Sequence, residues 1–345
     1  MAETKLNILF TCGGRRVALI RAFHNAMREL GIRGECIVTD VTPASAAFQS
    51  AQRGLIVPRC DDPAYLPAIE EAIAAHDVGL LVPLTDLDLQ LLADHRDELA
   101  QQGCLTMISS AEAVAICRDK ALSAHWLKQA GATPIRSESL ASFRSDPFYP
   151  CFVKPLSGSS SIGAARIETP AQLDRHVEQF GQALLVQECI DGQEFTVDVY
   201  RTRGGAVKAI VPRQRLDVRS GEVQNAVTVR DEELLAETRR IVEAMPGLWG
   251  AICLQFRRPC DSAGRSAGAA RCFEINPRFG GGVPLSIAAG ADLPRYLLQE
   301  AIGLPVDGGA GDFTERLMML RWHDAVFTAV EVPQDLPGYR QPRFR

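Results

Sequence analysis

Two architectures are predicted to follow one another along this 345-residue chain: an α/β domain built on a doubly wound parallel sheet, then an α+β region. Three observations predict this. Up to residue 108, short apolar runs alternate with amphipathic helical stretches, the rhythm of strands joined by crossover helices. From Tyr149 onward the rhythm changes to strand, turn and strand with single helices between. The composition, 46% hydrophobic and 23% charged, is that of a folded globular chain long enough for more than one domain.

The elements of the first domain follow in order. LNILFT (6–11) reads as a buried strand, closed by the turn Cys12-Gly13-Gly14 and followed by a helix over 16–30. ECIVTDV (35–41) and GLIVP (54–58) are the next strands, then a helix over 64–76, the strand VGLLVPL (78–84) and a helix over 87–101. The turn TCGGRR invites a dinucleotide reading with Asp40 on the ribose, but it lacks the third glycine of GxGxxG. Two other readings stand beside it. One is a tight strand-to-helix turn with a capping Asp40; the other places Gly13, Gly14, Arg15, Asp40 and Asp86 in a cleft at the strand ends.

A helix is predicted over 109–131, with Ser109 or Ser110 as N-cap and Gly131 as stop. YPCFVKPL, SGSSSIG and AARI then read as strand, loop and strand. A helix over 170–181 leads into LLVQECI and EFTVDVY, and VKAIVPRQRL precedes a helix over 231–244. The hairpin ICLQF…ARCFEIN and a helix over 284–302 complete the body. CDSAGRSAGAA (260–270) reads as a flexible hairpin tip, and VPQDLPGYRQPRFR as an extended tail.

A net charge of −5 with no basic run argues against nucleic acid as a partner. No apolar stretch approaches the ~20 residues that cross a bilayer, so no membrane partner is expected. The apolar run after Lys5 is too short for a signal-peptide core. The ten cysteines are scattered without a CxxC pair, which favours buried or incidental thiols and a reducing, cytoplasmic setting.

The chemistry gathers in four segments. In FEINPRFGGG (273–282), strand periodicity puts Glu274 and Asn276 on one face and turns Phe273 and Ile275 into a core. Gln255 of ICLQF sits in the same manner on the partner strand. Gln255, Glu274 and Asn276 offer only oxygen, the donor Mg2+ prefers when phosphate and water fill its remaining positions. Lys154 ends an apolar strand just before SGSSSIG, whose small residues can bring backbone N–H groups to phosphate oxygens. In VQECIDGQEF, Glu188 can accept an adenine amino proton, the backbone near Ile190 can read the ring edge, and Glu194 can hold ribose hydroxyls. Lys120, in ICRDKALS, is a second candidate phosphate-facing cation. Each feature also has an ordinary reading as exposed strand face, hairpin or solvated turn.

Together, RDK, FVKP with SGSSSIG, VQECIDGQEF, CLQF and FEINPRFGG resemble the ATP-grasp superfamily in order and spacing, over residues 5 to 305. The resemblance is closest to the branch of the carbamoyl-phosphate synthase large subunit and single-copy carboxylate–amine ligases. It implies a pre-ATP-grasp domain (1–108) and an ATP-grasp domain (109–310), whose two α+β subdomains, a lid (149–188) and a metal-binding part (191–310), clasp ATP. A C-terminal strand and an extended tail (311–345) follow.

Carried over residue by residue, Lys120 and Lys154 hold ATP phosphates, and Ser157, Gly158, Ser159, Ser160, Ser161 and Gly163 close over them. Glu188, Cys189 and Ile190 form the adenine hinge, and Glu194 takes the ribose. Gln255, Glu274 and Asn276 hold Mg2+, for which Mn2+ can substitute. Arg278 steadies the transferring phosphate, and Arg213, with Arg215, faces the acid substrate. The implied activity is an ATP-dependent ligase joining a small-molecule carboxylate to an amine through an acyl-phosphate. The alternatives are a carbamoyl-phosphate-synthase-like protein acting on carbamate or bicarbonate and a non-catalytic nucleotide-binding regulatory protein. Oligomeric state stays open, a homodimer being the commonest assembly.

Overall fold

A computed structural model describes residues 4–156, 163–219 and 221–329. The chain divides into two compact units. The first comprises the chain up to Ala111 together with Asp292–Gly308, and the second Glu112–Ala291 with Gly309–Arg321.

In the first unit, β1 (Thr4–Lys5) pairs with β3 (Ile32–Arg33) as a small parallel ribbon. The main sheet contains β2 (Asn7–Thr11), β4 (Cys36–Asp40), β5 (Arg53–Ile56), β6 (Val78–Pro83) and β7 (Leu105–Thr106). Its order is β5-β4-β2-β6-β7, with every pairing parallel. Ile8, Leu9, Phe10, Ile37, Val38, Leu80, Leu81 and Val82 are buried. Continuous apolar runs are what a parallel sheet covered on both faces requires. Asp40 accepts hydrogen bonds from the backbone N–H groups of Gly14 (3.0 Å) and Val41 (2.8 Å). Its carboxylate therefore caps the turn, as the plain structural reading of TCGGRR holds. Gly13 is required there because an added Cβ would lie 2.3 Å from Val38 Cγ1.

Three predicted helices are each split in two. The 87–101 stretch breaks at His95 into Leu89–Asp94 and Arg96–Gln101. The 109–131 stretch breaks at Asp119, whose carboxylate accepts from the N–H groups of Ala121 (2.8 Å) and Leu122 (2.9 Å). Capping by Asp119 in an extended conformation starts a new helix, Lys120–Gln129, and puts Lys120 in its first turn. The 284–302 stretch breaks at Gly290, whose φ is 106°, into Val283–Ala288 and Leu293–Ala301. Leu293–Ala301 packs with the first unit against the helix Val17–Glu29, where Arg295 lies 3.6 Å from Glu29.

The second unit holds two antiparallel sheets. The smaller, ordered β10-β9-β11-β8, contains β8 (Ser137–Ser139), β9 (Cys151–Pro155), β10 (Ala165–Ile167) and β11 (Leu184–Glu188). The larger contains β12 (Gly192–Arg201), β13 (Val207–Arg219), β14 (Glu222–Thr228), β15 (Gly250–Pro259), β16 (Arg271–Asn276) and β17 (Met318–Leu320). Its order is β16-β15-β12-β13-β14-β17. The return strand β14 was not anticipated from sequence.

Alternation along this sheet separates two jobs. Phe195, Val197, Val199, Ile210, Ile252, Leu254, Phe256 and Ile275 form one apolar core with Leu234, Ile241 and Val242 of the helix Glu232–Ala244. The opposite face carries Glu194, Thr196, Asp198, Arg213, Arg215, Gln255, Arg257 and Glu274, which meet across the strands by register. At the tip of the β15–β16 hairpin, Asp261 accepts from the N–H groups of Ala263 and Arg265, both at 2.9 Å.

Close strand approach leaves no room at Gly192, where a Cβ would lie 2.0 Å from the Arg258 carbonyl oxygen. Gly192→Ala is expected to destabilise the fold by about 1–3 kcal/mol, read as a lower urea midpoint at unchanged slope. A neutral result would mean that the β12–β15 ladder is looser than this contact implies.

Candidate active site

Every described residue of the candidate nucleotide and metal site lies in the second unit. Lys154 sits near the end of β9 and is only 8% exposed. Burial lowers its pKa to about 8; Glu274 acts to raise it and Lys120 to lower it further. Two lysines and the candidate metal carboxylate are therefore within electrostatic reach of one another.

The sequence reading placed Phe273 in the core, and the structure corrects this. Gln255 pairs with Glu274 while Phe256 pairs with Cys272, so Phe273 is the extra residue of a β-bulge. Cys272 takes the core position beside Ile275. Phe273 swings to the other side, its ring centroid 5.7 Å from Lys154 Nζ, within cation–π range. No glycine or proline in RCFEIN marks the bulge.

Glu274, Asn276 and Arg278 form a hydrogen-bonded chain. Asn276 Nδ2 donates to Glu274 Oε1 at 3.1 Å, and Arg278 Nη2 donates to Asn276 Oδ1 at 3.3 Å. Across the ladder from Glu274, Gln255 Oε1 accepts from Arg215 Nη1 at 3.3 Å. The donors suit a hard divalent cation: one carboxylate and two amide oxygens on neighbouring strands, with a free choice of water or phosphate beyond. Binding there would require Arg215 and Arg278 to turn away from the two amide oxygens.

Glu194 is held from both sides, by Arg215 Nη1 at 2.7 Å and Arg257 Nη2 at 2.8 Å. Arg257 also donates to the Ile190 carbonyl at 3.3 Å, linking the proposed hinge to the proposed ribose carboxylate. Sequence reasoning missed Arg257, although it stands two residues from Gln255 and so shares its face. It also missed Arg271, which pairs with Glu188; the same carboxylate oxygen accepts from the Arg136 N–H at 2.8 Å. Cys189 is half-buried, and burial raises its thiol pKa.

Of the loop residues, Gly163 has φ +71° and packs against Pro155 and Phe180. Its carbonyl accepts from His176 Nε2 at 3.0 Å. Ser157, Gly158, Ser159, Ser160 and Ser161 lie outside the described residues.

Arg213 needs a correction. It was expected to face an acid substrate, yet it is 1% exposed and donates through Nε to Asp198 Oδ2 at 2.8 Å. Ser286 Oγ donates to the same oxygen at 2.6 Å. The glycines after Arg278 explain the burial. A Cβ on Gly282 would lie 2.3 Å from Arg213 Nη1, and one on Gly280 would lie 2.8 Å from Cys253 Sγ and 3.0 Å from Asp198 Oδ1. Only bare backbone can cover the ion pair so closely. Arg213 is thus held in a buried ion pair on the same face of the sheet as the candidate site.

Comparison with known proteins follows the same outline. Residues 180–322 match the family model described as ATP-grasp in the biosynthetic pathway with Ter operon. Residues 122–218 match that of the D-ala D-ala ligase C-terminus, and 8–108 that of the PylC-like N-terminal domain. No curated protein matches the chain.

Among solved structures, the ADP complex of N5-carboxyaminoimidazole ribonucleotide synthetase aligns with TM-score 0.69 at 17% identity, covering 90% of this chain and 80% of that one. The biotin carboxylase domain dimer of the Hydrogenobacter thermophilus 2-oxoglutarate carboxylase, with MgADP, ADP and bicarbonate, aligns with TM-score 0.69 at 16% identity, over 90% and 73% of the two chains. An L-amino acid ligase from Bacillus licheniformis aligns with TM-score 0.64 at 19% identity, over 89% and 76%. At such identities the likeness is one of fold. No helix among the described residues is long and apolar enough to cross a membrane.

Removing one partner of a buried ion pair strands the other charge. Asp198→Ala is expected to destabilise the protein by about 3–5 kcal/mol, and adding Arg213→Met to recover much of that loss in urea denaturation. A surface-like loss below about 1 kcal/mol would contradict the burial.

Proposed function

The chain is a member of the ATP-grasp superfamily, and on that premise we propose that it is an ATP-dependent ligase joining a carboxylate to an amine. The observation that carries the reading is the desolvated Lys154 held beside Lys120 and Glu274. A buried ammonium next to a second cation is unfavourable alone and becomes favourable against a polyphosphate. Relatives of this fold crystallised with ADP and with MgADP, and an amino-acid ligase among them, support the same direction.

The chemistry answers a simple difficulty. Attack of an amine on a carboxylate would have to expel oxide, which is not a viable leaving group. Transfer of the γ-phosphoryl group to a carboxylate oxygen forms an acyl-phosphate and ADP. The amine lone pair then attacks the carbonyl carbon. Phosphate departs with the C–O electron pair, and the nitrogen loses its proton.

In this reading Lys154 and Lys120 lie along the phosphates, Arg278 against the phosphoryl group in transfer, and Glu194 against the ribose. The hinge at Glu188, Cys189 and Ile190 borders adenine. Glu274, Asn276 and Gln255 would hold Mg2+, or Mn2+ in its place, which supplies charge neutralisation at the phosphate oxygens.

Incubating the protein with ATP, Mg2+ and amino acids in pairs, with ADP formation as the readout, tests the reading. Turnover is expected only when an acid and an amine are both present. Lys154→Ala and Glu274→Ala should each abolish it. Arg278→Ala should slow it about a hundredfold, equivalent to ~3 kcal/mol of barrier. Undiminished turnover in the Lys154 or Glu274 variant would overturn the site. Nucleotide binding without turnover for any pair would favour a regulatory protein.

A further inference from the structure

A second cluster of reactive side chains lies in the first unit and shares no residue with the candidate active site. Cys12 follows β2, Cys60 lies in the loop after β5, and Asp88 lies after β6. All three therefore stand at the carboxyl ends of parallel strands, where open α/β sheets bind ligands. One ligand atom from each lies within 4.8 Å of the other two. Cys12 Sγ and Cys60 Sγ are 3.3 Å apart.

The carboxylate adds an independent sign. Asp88 is wholly buried, and its Oδ2 accepts from Thr11 Oγ1 at 2.6 Å and from Tyr65 OH at 2.8 Å. Its Oδ1 is buried with no hydrogen-bond partner. A buried carboxylate oxygen without a partner carries a desolvation penalty that calls for a compensating ligand. Two hydroxyls fixing one oxygen and leaving the other unpartnered is how outer groups orient a metal-binding carboxylate.

We propose that Cys12, Cys60 and Asp88 form a three-ligand site for a thiophilic divalent cation, zinc, with the fourth position open to an exchangeable ligand. Two thiolates and a carboxylate are donors zinc accepts, and three protein ligands with one open position is its arrangement at reactive sites. Sulfurs on a tetrahedral zinc with Zn–S of about 2.3 Å stand roughly 3.8 Å apart. The observed 3.3 Å therefore needs to open by only about half an ångström. A disulfide at about 2.05 Å would need a larger closure. The spacing of the cysteines in sequence hides the site, because the crossover connections bring together residues from three separate loops.

The test uses the full chain, reduced and stripped of metal with a chelator, and titrated with Co2+ as a spectroscopic probe. One equivalent should produce a near-ultraviolet thiolate-to-cobalt band that Zn2+ discharges. Cys12→Ser and Cys60→Ser should each diminish the band strongly. Tyr65→Phe should keep it while weakening Zn2+ binding about 10- to 100-fold. Glu274→Gln should leave it unchanged, since that set offers only oxygen. Because cysteine variants can fail to fold, protection of the Cys12 and Cys60 thiols from alkylation by Zn2+ in the unaltered chain provides a second readout. Absence of both the band and the protection would overturn the site. So would recovery of a Cys12–Cys60 disulfide in a protein that retains no zinc once reduced.

Discussion

An ammonium group removed from water is the constraint around which the second unit is organised. Lowering the Lys154 pKa from 10.5 to about 8 corresponds to roughly 3 kcal/mol disfavouring its charge. Burial accounts for most of this, Lys120 adds to it, and Glu274 offsets part of it. A polyanion entering between the lysines would relieve the repulsion and regain the charge in a site already desolvated, where each contact is worth more than in water. Linkage gives the sign for the empty protein. Between pH 8 and 10.5 the unfolded chain binds the Lys154 proton more than the folded one does, so that term makes stability rise with pH across this window and is fully unfavourable below it.

The six-stranded sheet makes such a site affordable. Its apolar face is packed against the helix Glu232–Ala244, and its polar face is laid out by register. Arg215 and Arg257 flank Glu194 from the two neighbouring strands, and Glu274 faces Gln255 one row further along. On the same face the Arg213–Asp198 pair is covered by the glycine backbone at 280 and 282. The segment FEINPRFGGG thus serves two needs. Its acid, amide and arginine form a hydrogen-bonded chain, and its glycines allow the loop to close over a buried charge pair.

Much of this was legible in sequence because strand alternation is a local property. The pairing of Glu274 with Gln255, the shared face of Glu274 and Asn276, and the parallel sheet of the first unit all follow from period and apolar runs. What escaped depends on tertiary context. The bulge that ejects Phe273 leaves no glycine or proline behind, and the burial of Arg213 depends on a loop that crosses it. The helix breaks were visible in part: Asp119 and Asp292 are both capping residues followed by helix starts, but each lies inside a longer helical period that masks it. The docking of Leu293–Ala301 on the first unit and the meeting of Cys12, Cys60 and Asp88 require knowing which loops the crossovers bring together.

The central claim is that Lys154 is a half-charged group near pH 8 waiting for a polyphosphate. Calorimetry of Mg2+·ATP binding at pH 8, repeated in buffers of differing ionisation enthalpy, measures the protons taken up on binding. The unaltered protein should take up about half a proton more than Lys154→Met does, since a bound polyanion restores the lysine charge. Tight nucleotide binding with equal proton uptake in both proteins would contradict it, and would place the nucleotide away from Lys154.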